Sequence, residues 1–360
     1  MTFEAVAEQE EAKRLLSAAL AEGPAHAYLL HGPRGVGKKK LALLFAAELL
    51  GEHTRVERRS HPDLYVLEPV GDQIRIDDIR GLRRDLHMRP FEAARRVYLV
   101  FDADTMNEDA ADALLKDLEE PPPYAVIVLV AADLGPLPET IRSRCQLVPF
   151  RRLSARAMRD EIARRAPELG DDEVTTLARA AAGRLDRAAR LLDPAAASRR
   201  ETLLAVARSV YLDEDFDAGD GAQALLAGIS ERGLEAKEKA EEAVVSLELG
   251  GREAEQRVRR VQRGAERDEL LAALEGLEWW YRDLVVHAAG AEASVVHVDR
   301  LDELRADATR ERSQGAERAC ELLRVAWREA EELQLSVPLA LEALLVRLRR
   351  ELAGPARSRA

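Results

Sequence analysis

The chain has 360 residues, more than the about 100–200 of a typical domain, so two or three domains are expected. With 47% hydrophobic and 33% charged residues the composition is globular, and an aromatic content of only 4% indicates helices rich in alanine and leucine. The net charge of −12 divides evenly, since residues 1–150 hold 19 basic and 25 acidic side chains, which excludes a basic nucleic-acid-binding half.

The sequence also lacks the usual signals of a membrane or secreted protein. No apolar run approaches the ~18–20 residues that a membrane span needs. The first residues are acidic from Glu4 onward, unlike a secretory signal. Cys145 and Cys320 alone form neither a disulfide framework nor a tetrahedral zinc site. These features predict a soluble, cytoplasmic protein.

The first 152 residues alternate between strand and helix patterns. Apolar runs rich in branched residues suit parallel strands that are buried on both faces. The predicted strands are 27–31, 64–67, 96–101 and 126–130, and the predicted helices are 39–50, 77–88 and 110–118. This alternation predicts an α/β domain with a parallel sheet.

After Phe150 the pattern is almost entirely helical. Three short helices, at 155–165, 172–182 and 185–192, predict a small three-helix lid over 153–196. An all-α domain is predicted over 197–360, with breaks near 217–221, 250–251 and 290.

Two segments of this helical part are unusual. The stretch 231–267 is highly charged and predicts a long, exposed helix or hairpin. The cluster Trp279-Trp280-Tyr281 is compatible with base stacking, but leucines at helical spacing around it favour packing in a helical core.

The first motif with chemical meaning is Gly32-Pro33-Arg34-Gly35-Val36-Gly37-Lys38, which fits GxxxxGK between a strand and a helix. The glycines let backbone N–H groups surround phosphates, and Lys38 would reach the outer phosphates. The context favours a phosphate-binding loop over an ordinary glycine turn. The next position should be Ser or Thr, whose hydroxyl binds magnesium. Lys39 stands there, and its ammonium group repels a cation, so weak magnesium binding is expected.

The second motif is the apolar strand that delivers Asp102 to its carboxyl end. In P-loop ATPases such an aspartate supports magnesium, and the next acidic residue orients the attacking water. Ala103 follows here and can do neither. Asp104 is expected to point to the opposite side of an extended chain. The alternative is that Asp102 is simply a polar strand end.

The third motif, Thr140-Ile141-Arg142-Ser143-Arg144-Cys145, precedes the last strand of the domain. Arg144 taken alone is compatible with an ordinary surface residue. Together with the two motifs above, it is a candidate arginine finger. An arginine presented in trans to a neighbour's γ-phosphate can raise turnover by about 10³–10⁵.

Four segments together resemble the AAA+ module of bacterial clamp-loader subunits: HAYLLHGPRGVGKKK, HPDLYVLEP, ALLKDLEEPPPYAVIVLVA and LPETIRSRC. LEWWYRDLVV and VPLALEALLVRL are similar to the helical collar of the same family. The likeness spans nearly the whole chain and is weakest between 213 and 269. It implies an AAA+ P-loop domain over 1–152, a lid over 153–196 and an oligomerisation collar over 197–360.

Departures from the family's motor pattern imply a subunit that does not hydrolyse ATP. Active motors carry Ser or Thr at position 39, Glu at 103, a polar sensor near 132 and a lid arginine near 186. This sequence has Lys39, Ala103, Ala132 and Asp186 instead. The resemblance therefore implies that Arg144 is kept for a neighbour. ATP or ADP at the degenerate site would be structural, held by the P-loop glycines, Lys38 and Asp102.

Family members usually carry a four-cysteine zinc module between the P-loop helix and the HPD segment. Residues 51–60 contain no cysteine, and His53 and His61 alone do not build a closed structural site. No zinc is predicted.

The resemblance implies a non-catalytic subunit of the DNA-directed DNA polymerase III holoenzyme, a nucleotidyltransferase complex. Its partners would be gamma/tau motor subunits and a delta subunit in a hetero-pentamer, the sliding clamp, and primed DNA. Arg80, Arg83 and Arg84 would lie on the DNA-facing side and contact phosphates without reading sequence. A solvated helix face is the alternative for these three arginines.

Two other functions stay open at this point. One is an active ATPase motor of the same family. The other is a P-loop phosphotransferase that acts on a small molecule, although the sequence offers no base near a substrate pocket.

Overall fold

The structure is a computed structural model that describes residues 3–69, 73–245, 251–332 and 336–353. The chain divides into two compact units: Met1–Pro167 with Ala181–Ala188, and Glu168–Ala180 with Ala189–Ala360. The three-part division with boundaries at 152 and 196 stays a prediction. Within the described ranges, no helix has both the length and the apolar character needed to cross a bilayer.

The first unit is built on a parallel sheet of five strands, counted over the described residues. In chain order β1 to β5 are Ala27–His31, Leu64–Leu67, Arg96–Val100, Ala125–Ala131 and Gln146–Pro149. Their order in the sheet is β2-β3-β4-β1-β5, and each neighbouring pair is parallel. Every residue of β3 and β4 is buried, as their continuous apolar runs require. The predicted α/β fold class with a parallel sheet is confirmed.

Helices cover both faces of this sheet. Those of the first unit, α1 to α7, are Glu10–Glu22, Lys38–Leu50, His53–Glu57, Ile76–Leu86, Glu108–Glu119, Glu139–Arg142 and Ala155–Arg165. Tyr28 of β1 packs edge-on against Phe45 of α2, with ring centroids 5.2 Å apart. Leu29 points to the other face and joins the core beneath α4 and α5. This alternation along one strand gives the sheet its two cores.

A buried aspartate fixes the loop between α4 and β3. Asp63 is 0% exposed, and its carboxylate accepts the backbone N–H groups of Phe91, Glu92 and Ala93 at 2.7, 2.9 and 2.9 Å. Burial raises the pKa of this carboxyl, but the three backbone hydrogen bonds outweigh that effect and leave the pKa below its ordinary value. The loop therefore depends on an ionised Asp63.

The described residues of the second unit form helices joined by short connections. Helices α8 to α15 are Asp171–Ala180, Leu185–Leu192 (which begins in the first unit), Pro194–Leu212, Ala218–Val245, Gly251–Ala288, Leu301–Asp307, Arg310–Glu332 and Val337–Leu352. Its core is formed mainly by leucine side chains, with smaller numbers of alanine, valine and aromatic side chains. This agrees with the all-α reading of the sequence.

The break predicted near 217–221 lies a few residues earlier in the structure. Asp217 Oδ1 accepts the N–H groups of Gly219 and Asp220 at 2.7 and 3.0 Å, so the aspartate begins α11. The glycines that suggested a break are part of the first helical turns. The break predicted near 250–251 falls partly on residue 250, which lies outside the described residues.

The charged segment 231–267 is helical wherever it is described. Its two parts belong to α11 and α12, which pack against each other: a Cβ placed on Gly233 would lie 2.5 Å from Cγ of Glu266. Such contact is what a helical hairpin requires. Residues 246–250 lie outside the described residues.

The aromatic cluster on α12 belongs to the core. Trp280 and Tyr281 are each 0% exposed. Trp280 Nε1 donates to the hydroxyl of Tyr211 over 3.0 Å, and the hydroxyl of Tyr281 donates to the carbonyl of Ala207 over 3.1 Å. The prediction of core packing over base stacking is confirmed for these two residues.

Candidate functional site

The GxxxxGK segment forms a loop between β1 and α2, as the sequence predicted. Gly32, Gly35 and Gly37 all have positive φ, at 135°, 70° and 97°. A Cβ on Gly32 would also lie only 2.3 Å from the carbonyl oxygen of Phe150. The loop therefore needs glycine for its backbone conformation and for its close packing.

Lys38 is bound by the loop itself. Its Nζ donates to the carbonyl oxygens of Gly32 and Pro33, each at 2.5 Å, and the residue is only 7% exposed. Burial lowers the pKa of its ammonium group to about 8, against the opposing charges of Asp104 and Asp102. The lysine thus has the position and the reduced hydration expected of a P-loop lysine.

Lys39 and Asp102 stand at the two positions that bind magnesium in P-loop ATPases, and here they form an ion pair. Lys39 Nζ lies 2.6 Å from Asp102 Oδ2, 4.0 Å from Glu68 Oε1, and 5.3 Å from the ring centroid of Phe101. Magnesium needs oxygen ligands with free lone pairs. These side chains do not fit the ion, because one position is a cation and the other is already paired with it.

Asp104 does not point to the far side of the chain, so that prediction was wrong. Asp102 has φ of 52°, and a 3₁₀ turn over Ala103–Thr105 replaces the extended backbone that the prediction assumed. The turn brings the Asp104 carboxylate to the end of β4, where it accepts the N–H groups of Ala132 and Asp133 at 3.1 and 3.4 Å. Its charge stabilises the protonated form of Lys38.

The lid segment 181–188 contacts the P-loop directly. The N–H of Leu185 donates to the carbonyl of Gly35 over 2.7 Å. Asp186, at the position of the motor family's lid arginine, lies against the same glycine: a Cβ on Gly35 would be 1.9 Å from Asp186 Oδ1. Arg184 Nη2 is 2.9 Å from the other oxygen of that carboxylate. A carboxylate therefore lies beside the loop, at the position where the resemblance implies an arginine in motors.

Arg144 lies between α6 and β5 with its guanidinium at the surface. It donates to the carbonyl of Thr140 over 2.9 Å and to Glu119 Oε1 over 2.5 Å, and its side chain is 34% exposed. These contacts hold the guanidinium group itself at the surface without burying it in the core.

Arg144 and the P-loop lie at opposite ends of the sheet. β5 runs parallel to β1, with Gln146 beside Tyr28 and Pro149 beside His31. Arg144 precedes β5, whereas Lys38 follows β1. A strand of four or five residues spans about 13–16 Å. The two residues therefore do not form one site within this chain.

The three arginines of α4 differ in their surroundings. Arg80 and Arg84 are exposed, and Arg80 lies 2.9 Å from Asp77, which is also exposed. Arg83 Nε lies 2.7 Å from Oδ2 of Asp117, a carboxylate that is only 3% exposed. Removing Arg83 would leave that buried charge without its partner, so Arg83 stabilises the packing of α4 on α5.

One cluster of side chains that could act as metal ligands lies near residues 51–60, the interval in which the resemblance would place a zinc module. Atoms of Glu52, His61 and Glu92 lie within 4.8 Å of one another. The guanidinium of Arg55 contacts both carboxylates, at 3.2 Å from Glu52 and 2.8 Å from Glu92, and His61 Nδ1 accepts the N–H of Asp63. An arginine among two exposed carboxylates does not fit structural zinc. The absence of zinc stays a prediction.

Sequence reasoning missed two contacts of the site. The amide of Gln9 donates to the carbonyl of Arg151 over 2.7 Å and accepts the N–H of the same residue over 3.0 Å, with a longer contact of 3.5 Å to the P-loop carbonyl of Val36. Glu119, which binds Arg144, was the other. Both partners are distant in sequence, and no local pattern marks either contact.

Comparison with known proteins shows which proteins the first unit resembles. The family model for "DNA polymerase III, delta subunit" matches residues 8–154. The DNA polymerase III subunit delta' of Bacillus subtilis (strain 168) is 35% identical over 149 residues, which are 38% of this chain and 45% of that protein. The delta' subunit of Pseudomonas aeruginosa PAO1 is 38% identical over 168 residues, 40% of this chain and 51% of that protein. Part of the chain is therefore similar to subunits of DNA polymerase III.

The similarity extends to a second type of DNA polymerase III subunit. The DNA polymerase III subunit tau of Bacillus subtilis (strain 168) is 32% identical over 170 residues, 43% of this chain and 30% of tau. The chain therefore spans about half the length, or less, of the curated relatives it matches. The resemblance predicted for nearly the whole chain is confirmed over residues 8–154.

Proposed function

We propose that the chain is a delta-prime-like subunit of a clamp loader, deficient in ATP hydrolysis, that donates Arg144 to the nucleotide site of a neighbouring motor subunit. The opposite placement of Arg144 and Lys38 on the sheet carries this proposal. An arginine that is held at the surface and cannot reach its own P-loop is suited to act only on another chain's phosphates.

The ion pair between Lys39 and Asp102 supports the hydrolysis deficiency. A P-loop motor needs magnesium to bridge the phosphates and an oriented water to attack them. Lys39 occupies the magnesium-ligand position and binds Asp102 at 2.6 Å. Asp104 accepts two backbone N–H groups and has Ala103 before it. Glu68, 4.0 Å from Lys39, is paired with Arg59. Among the described residues, none of these three carboxylates is therefore suited to orient water.

The proposed partners are gamma/tau motor subunits, a delta subunit, the sliding clamp and primed DNA. Phosphate contacts are proposed for Arg80 and Arg84, because Arg83 is bound to the buried Asp117, whereas the partner of Arg80, Asp77, is exposed to solvent. Such contacts would be strongly salt-dependent and independent of base sequence. ATP or ADP, if held at all, would have a structural role.

ATP turnover tests the proposal against an active motor, the alternative that homology to tau supports. The purified chain is mixed with motor and delta subunits, and hydrolysis is measured for each component alone and for the assembled complex. We expect no ATP turnover from the chain alone with Mg²⁺–ATP. We expect the ATP turnover of the assembled complex to exceed that of the motor subunit alone. Turnover by the isolated chain that disappears with Lys38→Ala would establish the motor instead.

The geometry of the site does not support the phosphotransferase alternative. Asp102 is paired with Lys39, and Asp104 is bound to backbone N–H groups, so neither carboxylate is available as a base for a small acceptor.

Glu119 is expected to position the finger. Replacing Glu119 with glutamine removes the charge that holds the Arg144 guanidinium at 2.5 Å, so the reconstituted complex should hydrolyse ATP about 3–10-fold more slowly. Glu120→Gln is the matched control, because Glu120 is the adjacent exposed acid, and its rate should equal that of the unaltered complex. Equal rates for both variants would mean that Glu119 has no positioning role.

A further inference from the structure

The lid holds a negative charge against the P-loop backbone. Leu185 and Gly35 share a backbone hydrogen bond of 2.7 Å, and Oδ1 of Asp186 lies where a side chain on Gly35 would begin. Gly35 has φ of 70°, one of the loop conformations that let backbone N–H groups converge on a phosphate. The carboxylate and a bound phosphate would therefore compete for the same part of the loop.

The Asp186 carboxylate is fixed in this position. Arg184 donates to both of its oxygens, from Nε over 3.2 Å and from Nη2 over 2.9 Å. The negative charge of Asp186 also favours the protonated form of Lys38, in the same sense as Asp104 and Asp102 do. Lys38 thus already has three carboxylates of its own chain near it.

We propose that the carboxylate of Asp186 takes the position of a nucleotide phosphate against the P-loop and thereby closes the loop to ATP and ADP. An incoming phosphate would meet a like charge near contact distance, and its attraction to Lys38 would be weakened by the carboxylates already there. In motor subunits the lid arginine would attract that phosphate instead. This inference goes beyond the proposed function and does not depend on Arg144.

Binding of ADP with a fluorescent methylanthraniloyl group tests the inference, by anisotropy with the full chain. Asp186→Asn keeps the size of the side chain and removes its charge. We expect this variant to bind the probe at least about tenfold more tightly than the unaltered chain. The gain should be equal in EDTA and in Mg²⁺, because Lys39 still occupies Asp102.

Three further variants make the result specific. Asp160→Asn removes the same charge from an exposed position on α7 and should leave affinity unchanged. Combining Asp186→Asn with Lys38→Ala should abolish the gain, because the probe then lacks its P-loop lysine. Asp186→Ala should repeat the gain of Asp186→Asn, and it is the fallback if the asparagine variant does not fold.

Two results would overturn the inference. One is equal affinity of the unaltered chain and both Asp186 variants. The other is a gain that survives Lys38→Ala, which would place the probe elsewhere. Either result would leave the donation of Arg144 untouched, because that function is measured by hydrolysis in a neighbouring subunit.

Discussion

Replacing Arg144 with alanine is expected to slow ATP hydrolysis at the adjacent motor site by about 10³-fold or more. The guanidinium would stabilise charge that develops on the γ-phosphoryl group, and alanine supplies no replacement. The measurement uses a reconstituted complex in which only the adjacent motor subunit can hydrolyse ATP, with primed DNA and the clamp present. A loss at that site is then not hidden by turnover elsewhere.

Two control variants separate loss of the finger from loss of assembly. Arg144→Lys keeps a charge but loses the planar set of donors, so most of the rate should still be lost. Arg151→Ala removes an arginine whose side chain is 86% exposed and whose acidic partner, Glu11, is 3.8 Å away. Full ATP hydrolysis is expected for this variant. If Arg144→Ala assembles normally by gel filtration and hydrolyses ATP at the unaltered rate, the finger proposal is wrong.

Replacing Asp63 with alanine is expected to lower the free energy of unfolding of the first unit by about 3 kcal/mol or more. Three backbone N–H groups, of Phe91, Glu92 and Ala93, would lose a common acceptor beneath their loop. Denaturant unfolding followed by circular dichroism measures the change. Asp63→Asn retains one acceptor oxygen, so it should lower the free energy of unfolding by about half as much as Asp63→Ala.

The stability that Asp63 provides should depend on pH in a defined direction. Its pKa is depressed in the folded chain by the three hydrogen bonds, despite its burial. The stabilisation is therefore fully present above the unfolded-state pKa of about 3.9 and is lost as pH falls through the lower folded-state pKa. Glu57→Ala, at an exposed position, should change stability by less than about 0.5 kcal/mol at any of these pH values. A similar loss in that control would exclude the role assigned to Asp63.

The parts of the molecule that follow local rules could be predicted from the sequence. Continuous apolar runs identified strands buried on both faces, and the glycine loop after the first of them identified the P-loop. Likewise, leucines at helical spacing placed Trp280 and Tyr281 in a core. Each of these features depends on residues within a few turns or one strand of one another.

The electrostatic character of the site could be predicted only in part. The mismatch of Lys39 with magnesium was evident from its chemistry, but its pairing with Asp102 spans 63 residues and depends on the fold. The position of Asp104 was mispredicted because one backbone angle, the φ of 52° at Asp102, turns the chain after β3. The sequence identified Asp186 as a missing arginine, and only the packing of the lid revealed what the aspartate contacts.

Within the proposed complex, the bond between Lys39 and Asp102 has a further consequence for the first unit. A motor subunit gains and loses its divalent counter-ion with every round of catalysis, and its local shape follows. Here the counter-ion is an amine that is covalently part of the chain and does not diffuse away. We therefore expect the conformation of this unit to stay the same when the ratio of ATP to ADP in the cell changes. In the proposed complex it would keep one conformation beside subunits whose conformation changes with each round of hydrolysis.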